Sequence, residues 1–132
     1  MLVMDELLGK ARFGDLPKGI QANLKVTLER VNKIRTEWGK PMQVTSGIRT
    51  IEDHLRIYKE KGITDLKKIP MQSKHLTGQA IDVFDPKLEL TAWLKKEPKH
   101  LEEAQLWCED GNSNWTHFQT LPPLSGNRWF KP

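Results

Sequence analysis

The chain has 132 residues, the size of one ordinary domain, long enough to bury roughly two-thirds of its unfolded surface. Its one cysteine, Cys108, excludes an internal disulfide and agrees with synthesis in a reducing compartment. The net charge is +4 and the pI about 9.2, but the basic residues are scattered or paired (Lys67-Lys68, Lys95-Lys96), as on solvated helix faces, which argues against a dedicated nucleic-acid stripe.

The N-terminus, Met1 to Glu6, has no basic segment followed by an apolar run, so it does not read as a secretory signal. No apolar run approaches transmembrane length. These features predict a soluble monomer, made in the cytoplasm without a signal peptide and not inserted in a membrane. From Lys18 to Trp38, apolar residues at Ile20, Leu24, Leu28, Val31, Ile34 and Trp38 recur in steps of three and four, the stripe of an amphipathic helix with Pro17 near its start and Gly39 after its end. Met42 to Thr45 alternates as a short strand does. Thr50, with Asp53 three residues on, is placed to cap a second helix that runs to Lys61 and stops at Gly62; Thr64 to Ile69 adds a turn before Pro70.

Gly78 precedes a strand-like run from Gln79 to Phe84, closed by Asp85-Pro86. Its inward side chains are either Ala80 and Asp82 or Ile81 and Val83, which lie on opposite faces. Leu90 to Lys96 and Lys99 to Leu106 read as helices separated by Pro98. Trp107 to Glu109 and Trp115 to Thr120 read as strands joined by the turn-rich Asp110-Gly111-Asn112-Ser113. The tail from Pro122 is irregular, with Trp129 and Phe130 expected to pin it to the body. Helices come first and short strands cluster later, so the expected fold class is α+β, a small antiparallel sheet flanked by helices in one domain spanning 1–132. The leading helix is expected at about 18–38 and the motif-bearing region at about 43–120.

Within that region His75, Asp82 and His117 carry the chemistry. Two imidazoles and one carboxylate suit Zn²⁺ and leave a further position open for water, the pattern of a catalytic site more often than of a structural one. Gly78 favours a loop-to-strand arrangement for His75 and Asp82, with His117 on a neighbouring strand. His54 and His100, assigned to polar helix faces, are read as surface or hydrogen-bonding residues. Ser73 and Gln79 are candidates for the cleft wall or for structural hydrogen bonds, and Trp115 for the wall of the site or the core.

Ser73-x-His75-x-x-x-Gly78-x-Ala80-x-Asp82, followed by Trp115-x-His117 and preceded by Ser46-Gly47-Ile48-Arg49, resembles the zinc peptidases that include D-Ala-D-Ala carboxypeptidases, the vancomycin-resistance dipeptidase and phage L-alanyl-D-glutamate endolysins. The hedgehog signalling domain shares that fold. The resemblance covers roughly Gln43 to Gln119, while the first forty residues match only as a generic leading helix. It implies a hedgehog-like fold, zinc held by His75, Asp82 and His117, and Arg49 (with Ser46 in the same motif) binding substrate and steadying negative charge. The substrate it implies is a D-amino-acid-containing peptide of bacterial peptidoglycan. The family also places a general base a few residues before the last histidine. Three before, this chain has Asn114, which cannot accept a proton. Glu109, with Asp110 beside it, fits the version of the pattern in which the glutamate stands farther back.

The expected activity is therefore that of a zinc metallopeptidase, either a phage lysis enzyme acting on the cell wall or a cytoplasmic dipeptidase. The reading from a different class is a zinc-containing cell-wall-binding or virion structural domain without hydrolytic activity, which Asn114 favours. A cysteine nucleophile at Cys108, paired with His117 and oriented by Asn114, has no supporting motif. The five tryptophans are not interleaved with Lys and Arg as a nucleic-acid platform requires.

Overall fold

Apolar steps of three and four close the longest helix over a small sheet. A computed structural model describes residues 1–69 and 71–132. Helix α1 is Met4–Leu8, α2 Lys18–Trp38, α3 Ile51–Glu60, α4 Glu89–Lys96 and α5 Lys99–Ala104. The strands are β1 Val44–Ser46, β2 Ala80–Asp85, β3 Trp107–Glu109, β4 Asn114–Gln119 and β5 Trp129–Phe130, with short 3₁₀ turns at Phe13–Asp15 and Leu66–Lys68. The fold is α+β. No helix among the described residues is long and apolar enough to cross a membrane.

Helix α2 begins after Pro17 and ends where Gly39 takes a φ of 72° and donates its N–H to the Arg35 carbonyl at 3.0 Å. Leu24, Val31 and Ile34 are buried, and Ile20, Leu28 and Trp38 pack at the edge of the same cluster. Thr27 lies in this stripe and is fully buried. Its hydroxyl lies 2.8 Å from the Gly78 carbonyl, and the Asn23 amide donates to the Thr77 carbonyl at 3.0 Å. These two side chains clasp the turn that feeds β2. Gly78 has a φ of 74°, and a Cβ there would stand 2.9 Å from Leu24 Cγ, so the turn requires glycine for its backbone and for its close approach to α2.

The sheet order is β1-β2-β4-β3-β5. The first three pairings are antiparallel, and the β2–β4 register runs from Ala80 opposite Gln119 to Asp85 opposite Asn114. Ile81, Val83, Cys108 and Phe118 turn to the core under α2, α4 and α5. The opposite face carries Asp82, Phe84, Trp115, His117 and Gln119, because side chains alternate along each strand and the register brings like faces together. Of the two inward sets open at the sequence level, Ile81 and Val83 make the core. Asp85 closes β2 as expected, and its buried carboxylate accepts from the N–H groups of Leu90 and Thr91 and from the hydroxyls of Thr91 and Thr116, at 2.9–3.1 Å, so it anchors the start of α4.

The structure departs from the sequence reading at three points. The sheet is not wholly antiparallel: β5 runs parallel to β3, with Cys108 N–H bonded to Arg128 O at 2.9 Å and Asp110 N–H to Phe130 O at 2.6 Å. A two-residue strand has no period to read, so the tail looked irregular. Helix α1 was not anticipated; Leu7 and Leu8 bury it, and the Asn32 side chain pins Leu2 through both its N–H and its carbonyl. His54 does not lie on a polar face: it is fully buried and packs on Tyr58, with ring centroids 5.0 Å apart. His100 has the hydrogen-bonding role expected of it: half-buried and stacked on Trp93 at 3.9 Å, it pairs through Nδ1 with Glu37 at 2.5 Å. Element ends moved little: α5 stops at Ala104 because Gln105 turns left-handed, at a φ of 57°. The expected stop at Pro70 lies outside the described residues.

Gly47 bridges the sheet to α1. A Cβ there would fall 2.1 Å from the Leu7 carbonyl oxygen, which already accepts the Ile48 N–H at 2.9 Å. Gly47→Ala is expected to destabilise the protein by about 1–3 kcal/mol, as overpacking does. Gly19→Ala, in open space within α2, is expected to stabilise by about 0.5 kcal/mol. Denaturant titration of both variants checks the pair, and a Gly47→Ala midpoint equal to that of the parent would refute the close approach.

Candidate metal centre

Asp82 and His117 are register partners on β2 and β4, so their side chains emerge side by side on the open face. His75 comes from the loop before Gly78. The Ser46–Arg49 segment holds that loop from the other side: Arg49 N–H donates to His75 O at 3.0 Å, and His75 Nδ1 lies 2.9 Å from the Gly47 carbonyl. A carbonyl only accepts, so Nδ1 carries a proton; Nε2, on the side of Asp82, donates to that carboxylate when the ring is doubly protonated and presents its lone pair when the ring is neutral. Ser73 Oγ accepts the His75 N–H at 3.3 Å.

The three groups converge. His117 Nδ1 is 2.8 Å from Asp82 Oδ1, and His75 Nε2 is 3.3 Å from Asp82 Oδ2. One ligand atom from each of His75, Asp82 and His117 lies within 4.8 Å of the others, so the group could hold a metal ion. The two imidazoles are buried and Asp82 is largely so. Burial pushes the Asp82 carboxyl up, but hydrogen bonds from His117 and His75 overcome this and hold it well below its ordinary range. For His117, burial disfavours the cation, yet the hydrogen bond to Asp82 and the charge of Glu109 outweigh that and raise its pKa above the ordinary 6.5.

Arg49 reaches the same carboxylate, its Nη2 4.0 Å from Asp82 Oδ2, and its Nε donates to Ser46 Oγ at 3.2 Å. Glu109 stands at the end of β3 with Oε2 3.9 Å from His117 Nε2, while the Asn112 amide donates to Oε1 at 3.0 Å. Asp110 is tied instead to Lys95 at 2.7 Å and is exposed, and that lysine lowers its pKa. Asn114 is exposed at the start of β4, where its φ of 71° is one that asparagine adopts more readily than most residues.

A cleft of about 530 Å³ opens over the centre. His75, Asp82, His117, Arg49, Glu109, Ser73 and Trp115 all line it. Ser46 and Gln79 do not: Ser46 supports Arg49, and Gln79 Oε1 accepts from the Thr77 hydroxyl at 2.5 Å. Among the wall residues that the sequence reading missed are Tyr58 from α3, Lys61 just after it, Lys74 from the loop and Phe130 from β5. It also missed Gln119, whose Oε1 lies 2.9 Å from His117 Nε2. Period two along β4 was the available signal for Gln119, since residues 115, 117 and 119 share a face. Compared with known proteins, the chain matches no family model, no curated protein and no solved structure.

The paired shifts give the metal-free protein a pH signature. Asp82, depressed below its ordinary 3.8, contributes stability above that value and loses it as pH falls. His117, raised above 6.5, contributes fully below that value and loses its contribution as pH rises through the raised pKa. Chelator-treated protein should therefore lose stability from His117 as pH rises above 6.5 and through the raised pKa, and His117→Gln should remove that part of the slope. Affinity for a divalent cation should move the opposite way and rise with pH, because the ring must shed its proton to bind. Denaturant midpoints and metal titrations across the same pH series check both signs.

Proposed function

We propose that the chain is a zinc-dependent metallopeptidase that hydrolyses amide bonds in D-amino-acid-containing peptides of bacterial peptidoglycan. On this reading the α+β arrangement is that of the hedgehog and D-Ala-D-Ala-carboxypeptidase group. The observation that carries the proposal is the convergence in one cleft of two buried imidazoles, a carboxylate, a free-edged Glu109 and a half-buried Arg49. The peptidoglycan substrate rests on the resemblance of the Ser46–Arg49, Ser73–Asp82 and Trp115–His117 motifs.

The donor set fits zinc. Two nitrogen donors and one oxygen donor suit this borderline ion, and the bond from Gly47 to His75 Nδ1 is the outer support that metal-binding histidines have. Zinc bound by His75, Asp82 and His117 would supply a Lewis acid that brings the pKa of water near 7. Glu109 is the general base. Asn112 occupies one of its oxygens, which leaves Oε2, on the side of His117, to take the proton of the attacking water and return it to the leaving nitrogen. Arg49, braced by Ser46 Oγ, holds a substrate carboxylate or the negative charge that develops on the scissile carbonyl. Trp115 and Phe130 line the cleft beside these groups and offer apolar surface to the substrate.

Glu109→Gln is expected to retain zinc and to lose about 10²–10⁴ of the hydrolytic rate. Arg49→Ala is expected to lose about 10²–10³. The assay is release of new free amino groups from purified peptidoglycan by zinc-loaded protein, with bound zinc measured in parallel. Full activity in Glu109→Gln would remove that residue from the role. One observation favours a second reading, a zinc-containing cell-wall-binding or virion structural domain: Asn114 stands where some members of the resembled family carry their base, and it is exposed. Protein that binds peptidoglycan but releases no amino groups with any divalent metal would decide for that reading.

A further inference from the structure

We infer that Gln119 is the positioning residue that decides which nitrogen of His117 faces the metal. The inference rests on the metal-site part of the reading above and not on hydrolysis.

Gln119 is buried, with 5% of its surface exposed, and follows His117 by two residues on the same face of β4. The residue opposite it is Ala80, whose small side chain leaves room for the amide. The amide has two ends, and the structure commits both. Gln119 Nε2 donates to the Leu121 carbonyl at 2.8 Å. That carbonyl cannot donate, so the NH₂ end must face it and Oε1 must face the ring, 2.9 Å from His117 Nε2. An amide oxygen only accepts. His117 therefore carries a proton on Nε2, which leaves Nδ1, 2.8 Å from Asp82 Oδ1, either to donate to that carboxylate in the doubly protonated ring or to offer the neutral ring's lone pair to a cation.

The reversed amide would do the opposite. Its NH₂ would donate to a bare Nε2, the ring proton would move to Nδ1, and that N–H would point at Asp82 Oδ1. The neutral ring would then keep its lone pair on Nε2, away from Asp82 and His75, and hold a proton on the nitrogen that a metal needs. The Leu121 carbonyl thus selects the metal-binding tautomer through Gln119. At His75 a main-chain carbonyl, that of Gly47, does the same work on the other nitrogen. The centre consequently uses Nε2 of His75 and Nδ1 of His117, each fixed by an acceptor on the far side of its ring. Of the two acceptors, only Gln119 is a side chain and open to substitution.

The test is zinc affinity by chelator competition, together with long-range ¹H–¹⁵N spectra of the histidine rings, on the full chain. The zinc-loaded parent should show His117 protonated at Nε2 and coordinated through Nδ1, and His75 the reverse. Gln119→Met, similar in size but without an acceptor, should bind zinc about 10–100-fold more weakly, as loss of such an outer partner does, and should show mixed His117 tautomers in the metal-free protein. Gln119→Glu, which keeps an acceptor, should restore affinity and the Nε2–H signature. A parent spectrum with His117 coordinated through Nε2 would overturn the inference without recourse to any variant. So would parental affinity and an unchanged ring pattern in Gln119→Met. Failure of the parent to take up zinc would overturn the metal reading itself, and this inference with it.

Discussion

Asp82 and His117 meet across the antiparallel pair of β2 and β4, and the position of every other group in the cleft is set relative to that contact. Side chains alternate along a strand, so a slip of one residue would turn Ile81 and Phe118 to the cleft and drive the carboxylate and the ring into the core. The apolar face that Ile81, Val83, Phe118 and Cys108 present to the helices makes such a slip costly. The chemistry of the open face thus inherits its precision from the hydrophobic face behind it.

Three devices hold the register at its ends. Thr27 and Asn23 clasp the Thr77–Gly78 turn from α2, so β2 starts at a fixed height. Asp85 ends the same strand by accepting two backbone N–H groups and two hydroxyls, one of them from Thr116 on β4. The Ser46–Arg49 segment brings its own groups to the His75 loop, and Gly47 can approach only because it lacks a side chain. Several motif residues that are not ligand candidates therefore have a mechanical reason for their identity. Gly78 makes a left-handed turn against Leu24, Ala80 leaves space opposite Gln119, and Ser46 braces Arg49.

What could be read from the sequence divides along the range of the interactions. The α2 stripe, its flanking Pro17 and Gly39, the Thr50 cap and the β2–β4 strands are local patterns, and all four appear in the structure. Convergence of His75, Asp82 and His117 was legible because Gly78 and the spacing placed two groups on successive loop and strand positions. The rest depends on partners far along the chain. Thr27 looks like a polar interruption of a helix stripe until the carbonyl of residue 78 is seen to lie against it. His54 has the flanks of a surface histidine, and only the packing of α3 buries it. Strand β5 is too short to show a period, yet it supplies Phe130 to the cleft and closes the sheet edge beside Glu109. Gln119 was visible as the next residue on the His117 face, but its role depends on the Leu121 carbonyl, which no periodicity predicts.

A buried carboxylate explains why the centre could hold a cation. The Asp82 side chain is largely buried, where an unpaired anion is costly. Arg49 stands 4.0 Å away and satisfies it only in part. The remaining positive charge must come from His117 as an imidazolium or from a divalent cation shared with His75, and the same nitrogen, Nδ1, serves both. Proton and metal are therefore direct competitors for one lone pair. Their competition is biased by acceptors outside the triad, because Gly47 and Gln119 hold the far nitrogens protonated in either case. A site arranged in this way need not reorganise its rings when proton gives way to metal. Affinity for a cation there would be limited by pH and by the charge on Asp82, rather than by the entropy of bringing three ligands together.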